Sequence, residues 1–99
     1  MNAMIRQAQK MQEKIAQKQE ELAQREYTAS AGGGVVSVTV KGGKELTGIV
    51  IKPEVVDPDD VEMLQDLIVA AVNEALRTAE ETTAREMEQI TGGLNLPGM

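Results

Sequence analysis

Hydrophobic residues recur at helical spacing from the start of the chain: Met4, Ala8, Met11, Ile15 and Leu22 step by four, three, four and seven, with a polar interruption at Lys18. Ile5, Ala16 and Ala23 widen one side of this seam. Gln, Glu and Lys, all good helix formers, fill the rest, with no Gly or Pro before residue 32. The pattern predicts a helix over about 2–25. From Tyr27 the period changes to two and β-branched residues take over. Strands are expected at 27–31, 35–41 and 44–52. Gly32-Gly33-Gly34 and Gly42-Gly43 separate them, the second pair sitting where a tight hairpin needs positive φ, and Pro53 is the stop. Turns this short imply an antiparallel three-stranded meander. Asp57-Pro58-Asp59-Asp60 reads as a helix start, with Asp57 at the N-cap, Pro58 at the first helical position and carboxylates in the first turn. Leu64, Ile68, Ala71, Val72, Ala75 and Ala79 then form a broad apolar face. A helix is expected over about 59–90, ended by Gly92-Gly93, with a loosely held tail over 91–99. The 99 residues read as one α+β domain of order α-β-β-β-α.

These lengths imply a second copy of the chain. At about 1.5 Å per residue the first helix measures about 36 Å and the last about 48 Å, whereas an eight-residue strand spans about 27 Å. Both helices overhang the sheet, and an overhanging apolar seam needs cover. On the sheet, Val36, Val38, Val40, Ile49 and Ile51 are expected to fill one face, with Val35, Leu46 and Val50 pointing the other way. A homodimer is therefore expected, with Met4, Met11, Ile15 and Leu22 on the helix and Val35, Leu46 and Val50 on the sheet as its interface.

Composition removes most enzymology. With no Cys and no His there is no thiolate nucleophile, no zinc-thiolate site and no imidazole base. Glu62 and Asp66 have nothing beside them in the sequence to make an acid–base or metal site. The cluster Asp57, Asp59, Asp60 and Glu62 lacks the spaced ligands and turn glycine of a calcium loop. Gly32-Gly33-Gly34 precedes a strand and lacks the Lys-Ser/Thr of a phosphate-binding loop. No catalytic residue, metal, cofactor or small-molecule substrate is expected. No apolar run reaches the length of a membrane span and the start lacks the order of a signal peptide, so the expected location is the cytoplasm, with no membrane partner.

Charge is segregated. The net charge of −6 combines +1 over residues 1–26, +2 over 27–52 and −9 over 53–99. Arg6, Lys10, Lys14 and Lys18 recur every fourth residue, which on a helix makes one slowly drifting stripe. Like charges at this spacing repel by a few tenths of a kcal/mol per pair unless an anion lies against them. Composition alone favours a solvated face balanced by neighbours such as Lys10 with Glu13, Lys18 with Glu21, and Glu21 with Arg25. Phosphate is the other reading. Tyr27 is the only aromatic residue, too little for the stacking platforms that single strands need, so a nucleic-acid partner would be a duplex.

Met4-Ile5-Arg6-Gln7-Ala8-Gln9-Lys10-Met11-Gln12 resembles the M-x-[KR]-Q-A-Q-x-M-Q opening helix of the YbaB/EbfC family of bacterial nucleoid-associated proteins. Gly33–Val40 with the Gly42-Gly43 turn, Ile49-Val50-Ile51 and Pro53 are similar to the family's middle. Asp66-Leu67-Ile68-Val69-Ala70-Ala71-Val72-Asn73-Glu74-Ala75 resembles its D-L-[IV]-x-A-A-x-N-[DE]-A stretch, and Gly92-Gly93-Leu94 to Pro97-Gly98-Met99 its tail. One departure is Leu46-Thr47-Gly48, where some members carry Arg. The resemblance implies a tweezer-shaped homodimer with projecting helices that binds double-stranded DNA at the nucleoid and affects DNA conformation and gene expression. Arg6, Lys10, Lys14 and Lys18 would then contact phosphates, with Lys41, Lys44 and Lys52 as weaker contributors from the sheet. The rival expectation is a protein-interaction scaffold whose acidic last helix (Glu74, Glu80, Glu81, Glu86, Glu88) docks a basic partner, with DNA binding incidental.

Overall fold

The computed structural model describes residues 2–92. The element order is α1 (Asn2–Gln24), β1 (Glu26–Ala31), β2 (Val36–Lys41), β3 (Glu45–Ile51), a 3-10 turn over Pro53–Val55, and α2 (Val61–Thr91). The tail expected after α2 lies outside the described residues from 93 onward. β1, β2 and β3 form an antiparallel sheet in sequence order, the α-β-β-β-α meander that the turn lengths imply.

The core is built by placing small residues on the helix against branched ones on the sheet. Val36, Val38 and Val40 are fully buried on one face of β2, and Ala71, Ala75 and Ala79 are buried at intervals of four along α2. The short Ala side chains let α2 lie close across β1 and β2. Tyr27, Ala29 and Ala31 from β1, Ile51 from β3, and Leu64, Leu67, Ile68 and Val72 from α2 close the cluster. Val55 from the 3-10 turn, an element the sequence pattern misses, is also buried there.

Three local expectations are corrected. First, α2 starts at Val61, capped by Asp60, whose side chain accepts the Met63 N–H at 3.2 Å. Asp57 is spent on the preceding turn: its carboxylate accepts the Asp59 N–H at 2.9 Å and its carbonyl accepts the Asp60 N–H at 3.0 Å. Asp before Pro favours that turn, so the cap moves three residues on. Second, Val35 lies in the turn before β2 and packs on the core rather than facing away from it. Third, Leu46 does not point away from Val40. A register shift between Thr39 and Val40 pairs Thr39 with Gly48 but Val40 with Leu46, leaving Thr47 as an extra residue whose hydroxyl donates to the Thr39 carbonyl at 3.2 Å. One inserted residue moves Leu46 to the core face. The opposite face is consequently polar, carrying Thr28, Ser30, Ser37 and Thr39, the two threonines hydrogen-bonded at 3.1 Å. Val50, opposite Ser37, faces that way, as expected, and is 68% exposed.

α1 stands on the tip of the β2–β3 hairpin. Gly42 and Gly43 both adopt positive φ, and the Lys44 N–H closes the turn on the Lys41 carbonyl at 3.1 Å. The Gly42 N–H donates to the Arg25 carbonyl at 2.8 Å, and a Cβ on Gly42 would come within 2.6 Å of the Ala23 carbonyl oxygen. Glycine is needed there both for its φ and for the close approach. From this root the helix runs outward. The radius of gyration is 19.2 Å and the extents are 70 × 25 × 16 Å, whereas a compact chain of this length would have a radius near 13 Å.

Candidate nucleic-acid interface

Arg6, Lys10 and Lys14 lie on the outward part of α1, exposed and in no ion pair among the described residues. The pairing of Lys10 with Glu13 does not form. Arg6 and Lys14 are about 12 Å apart along the axis, each step of four drifting by about 40° around it. Met4, at 73% exposed, and Ile5, at 55%, sit among them, while Met11 and Ile15 are half-buried. Leu22, at the root of the same seam, is buried within the protomer.

Lys18 parts company with its three neighbours. It reaches Glu21 on its own helix and Glu86 on α2, both at 3.2 Å. Arg25 binds the same two carboxylates, Nη2 to Glu21 and a two-nitrogen fork to Glu86. The four side chains clasp α1 to α2. Their protonation reflects it. The Arg25 guanidinium, with Lys18 beside it, holds Glu86 below its ordinary range, and Lys18 followed by Arg25 does the same for Glu21. Conversely, Glu21 and then Glu86 raise Lys18, and Glu86 followed by Glu21 raises Arg25. The sequence places Glu86 only on an acidic docking face, and its pairing with Lys18 and Arg25 is not legible there because these partners are 68 and 61 residues away. One signal was available: Glu86 falls seven residues after Ala79, so it continues the inward stripe of α2 and calls for a cationic neighbour.

The three sheet lysines do not form one patch. Lys41 ends β2, with Glu26 and Glu45 as its register neighbours. Lys44 sits in the hairpin turn, beside Gln19, Leu22 and Ala23 of α1 in a shallow crevice. Lys52 lies past the far end of β3, about 23 Å from the hairpin tip. The remaining exposed large hydrophobic residues are divided between β3 (Leu46, Ile49, Val50) and α2 (Val61, Met63, Val69, Leu76), with Val56 between them. Because α2 covers β1 and β2, Leu46 and Ile49 stay 47% and 41% exposed although they share a face with the core. Among the described residues there is no metal-holding group of three acidic or His/Cys side chains, and no helix long and apolar enough to cross a membrane.

Comparison with known proteins supplies the family. The model of the YbaB/EbfC DNA-binding family matches residues 1–94. The chain belongs to that family. A nucleoid-associated protein of Clostridium acetobutylicum is 62% identical over 99 residues, covering 100% of this chain and 88% of its own length. Another from Clostridium novyi is 60% identical over the same span, covering 87% of its length. A crystal structure of an uncharacterized protein from Helicobacter pylori shares the fold, with a TM-score of 0.71 at 23% identity, over 91% of this chain and 95% of that one. The YbaB/EbfC family is one of DNA-binding proteins and the two clostridial relatives are named nucleoid-associated proteins; neither name is that of an enzyme.

Proposed function

We propose that two copies of this protein associate into a nucleoid-associated homodimer in the cytoplasm, which holds duplex DNA through phosphate contacts from Arg6, Lys10 and Lys14. The observation that carries the reading is the run of unpaired cations along a projecting helix of an acidic protein. Three like charges in a row on α1 repel one another in the free protein, and a phosphate backbone relieves that repulsion. Lys44, at the root of the arm, is placed to extend the contact; Lys41 and Lys52 are secondary. Such contacts set affinity and salt dependence and carry no base information, so the protein acts on DNA path and packing, and through these on gene expression.

The dimer is supported by the sheet more than by α1. β3 has an unpaired edge, and its core-side residues Leu46 and Ile49 are left uncovered, while Leu76 and Val69 of α2 are 37% and 58% exposed. A second copy covering this side with the same patch would be isologous, the arrangement of most homodimers. Met4 and Met11 on the arm are further from this patch and are secondary contacts.

The test is Lys10→Glu with Lys14→Glu in one chain. The double variant is expected to lose duplex binding at low salt while sedimenting as the same dimer. Unchanged affinity would remove the stripe from the mechanism, and a monomeric wild type at micromolar concentration would remove the dimer. The exposed carboxylates Glu80, Glu81 and Glu88 on α2 support the scaffold reading instead. That reading predicts no duplex shift by the wild type at about 150 mM salt, where the Debye length is only about 8 Å.

A further inference from the structure

Glu86 occupies a place built for an anion with two oxygens. Arg25 meets it as a fork, Nη1 to Oε2 and Nη2 to Oε1, and Lys18 adds a third donor to Oε1 at 3.2 Å. A planar guanidinium and an ammonium converging on two oxygens of one group also suit a backbone phosphate. The site is not sealed: the side chains of Lys18, Arg25 and Glu86 keep 25%, 32% and 20% of their surface open. Nor is it remote from the stripe. Lys18 is the next step of four after Lys14, and Arg25 is seven residues further on, so it returns to nearly the same side as Lys18.

We infer that Lys18 and Arg25 are a masked extension of the phosphate-binding stripe, and that Glu86, helped by Glu21, is a built-in competitor that withholds them from a duplex backbone. This rests on the duplex reading above and adds a restraint to it. In the free protein Glu86 cancels the two cations nearest the root of the arm, so the wild type engages fewer phosphates than its Lys and Arg residues allow.

The experiment is a duplex titration of the full chain over a salt series, read by fluorescence anisotropy, comparing wild type, Glu86→Gln, Glu21→Gln and the double variant Arg25→Ala with Glu86→Gln. Each phosphate newly engaged steepens the slope of log affinity against log salt by about 0.9. Glu86→Gln is expected to bind tighter with a slope steeper by about one to two. Glu21→Gln, which alters only an exposed position on α1, is expected to change in the same direction by less. Adding Arg25→Ala to Glu86→Gln should return the slope toward that of the wild type. Glu86→Gln with an unchanged slope and native circular dichroism overturns the inference while leaving the duplex reading intact. An unchanged Glu21→Gln does so if Glu86→Gln fails to fold. Absence of any duplex shift by wild type and variants at low salt overturns the duplex reading itself.

Discussion

The two halves of α2 differ sharply in what they are for. From Leu64 to Ala79 the helix is a packing element, its inward residues small or branched and buried against Val36, Val38 and Val40. Beyond Ala79 it leaves the sheet and its inward position is taken by a carboxylate, Glu86, held by cations from α1. The first half is fixed by apolar burial, which neither salt nor pH reverses. The second is fixed by charge in partly open surroundings, which both can loosen. The projecting helix is joined to the folded body in part by an interaction that salt and acid can weaken.

Perturbing the body should therefore cost far more than perturbing the arm. Val38→Asp places an unpaired carboxylate at a fully buried site and is expected to cost upward of about 3 kcal/mol, enough to abolish cooperative thermal unfolding. Lys10→Glu with Lys14→Glu, by contrast, should leave stability within about 1 kcal/mol, because each surface site away from special features contributes within about 0.5 kcal/mol. If the two variants melted alike, the division between body and arm would be wrong. Gly42→Val tests the joint between them. It combines a disfavoured positive φ with an approach of 2.6 Å to the Ala23 carbonyl oxygen. A loss of about 2–3 kcal/mol is expected, with faster hydrogen exchange at the end of α1 than in β2.

Acid should sharpen the contrast with the smallest effect. Glu86 and Glu21 titrate below their unfolded values, so the contribution of the clasp is complete above the ordinary carboxylate range and is lost as pH falls through their lowered values. Lys18 and Arg25 are raised, so their share is present below their ordinary values and fades only as pH climbs through the raised ones. Between these limits stability should be flat. As pH falls through the lowered Glu86 and Glu21 values the wild type should lose its attachment between α1 and α2, measured by exchange at the root of α1, and Glu86→Gln should show a weaker dependence.

What the sequence disclosed follows the range of the interactions involved. The helices, the Gly42-Gly43 turn and the valine face of β2 are written in neighbouring residues, and they are where the periodicity puts them. The start of α2 is less legible because four carboxylates stand within six positions, Asp57 to Glu62, and the Asp-Pro turn takes the first of them. The side of the sheet on which Leu46 lies depends on how β3 registers against β2, which no residue of β3 alone encodes. Likewise Lys18 looks like its neighbours Arg6, Lys10 and Lys14 until Glu86 is brought to it from 68 residues away.

That extra residue in β3 reaches beyond the strand. By carrying Leu46 to the same side as Ile49 and Ile51, it gathers every greasy position of the third strand but Val50 on one surface and leaves the reverse clad mainly in hydroxyls. A molecule dressed this way has one dry side and one wet side. Deletion of Thr47 would return Leu46 to the wet side and divide the greasy positions of the strand evenly between the two.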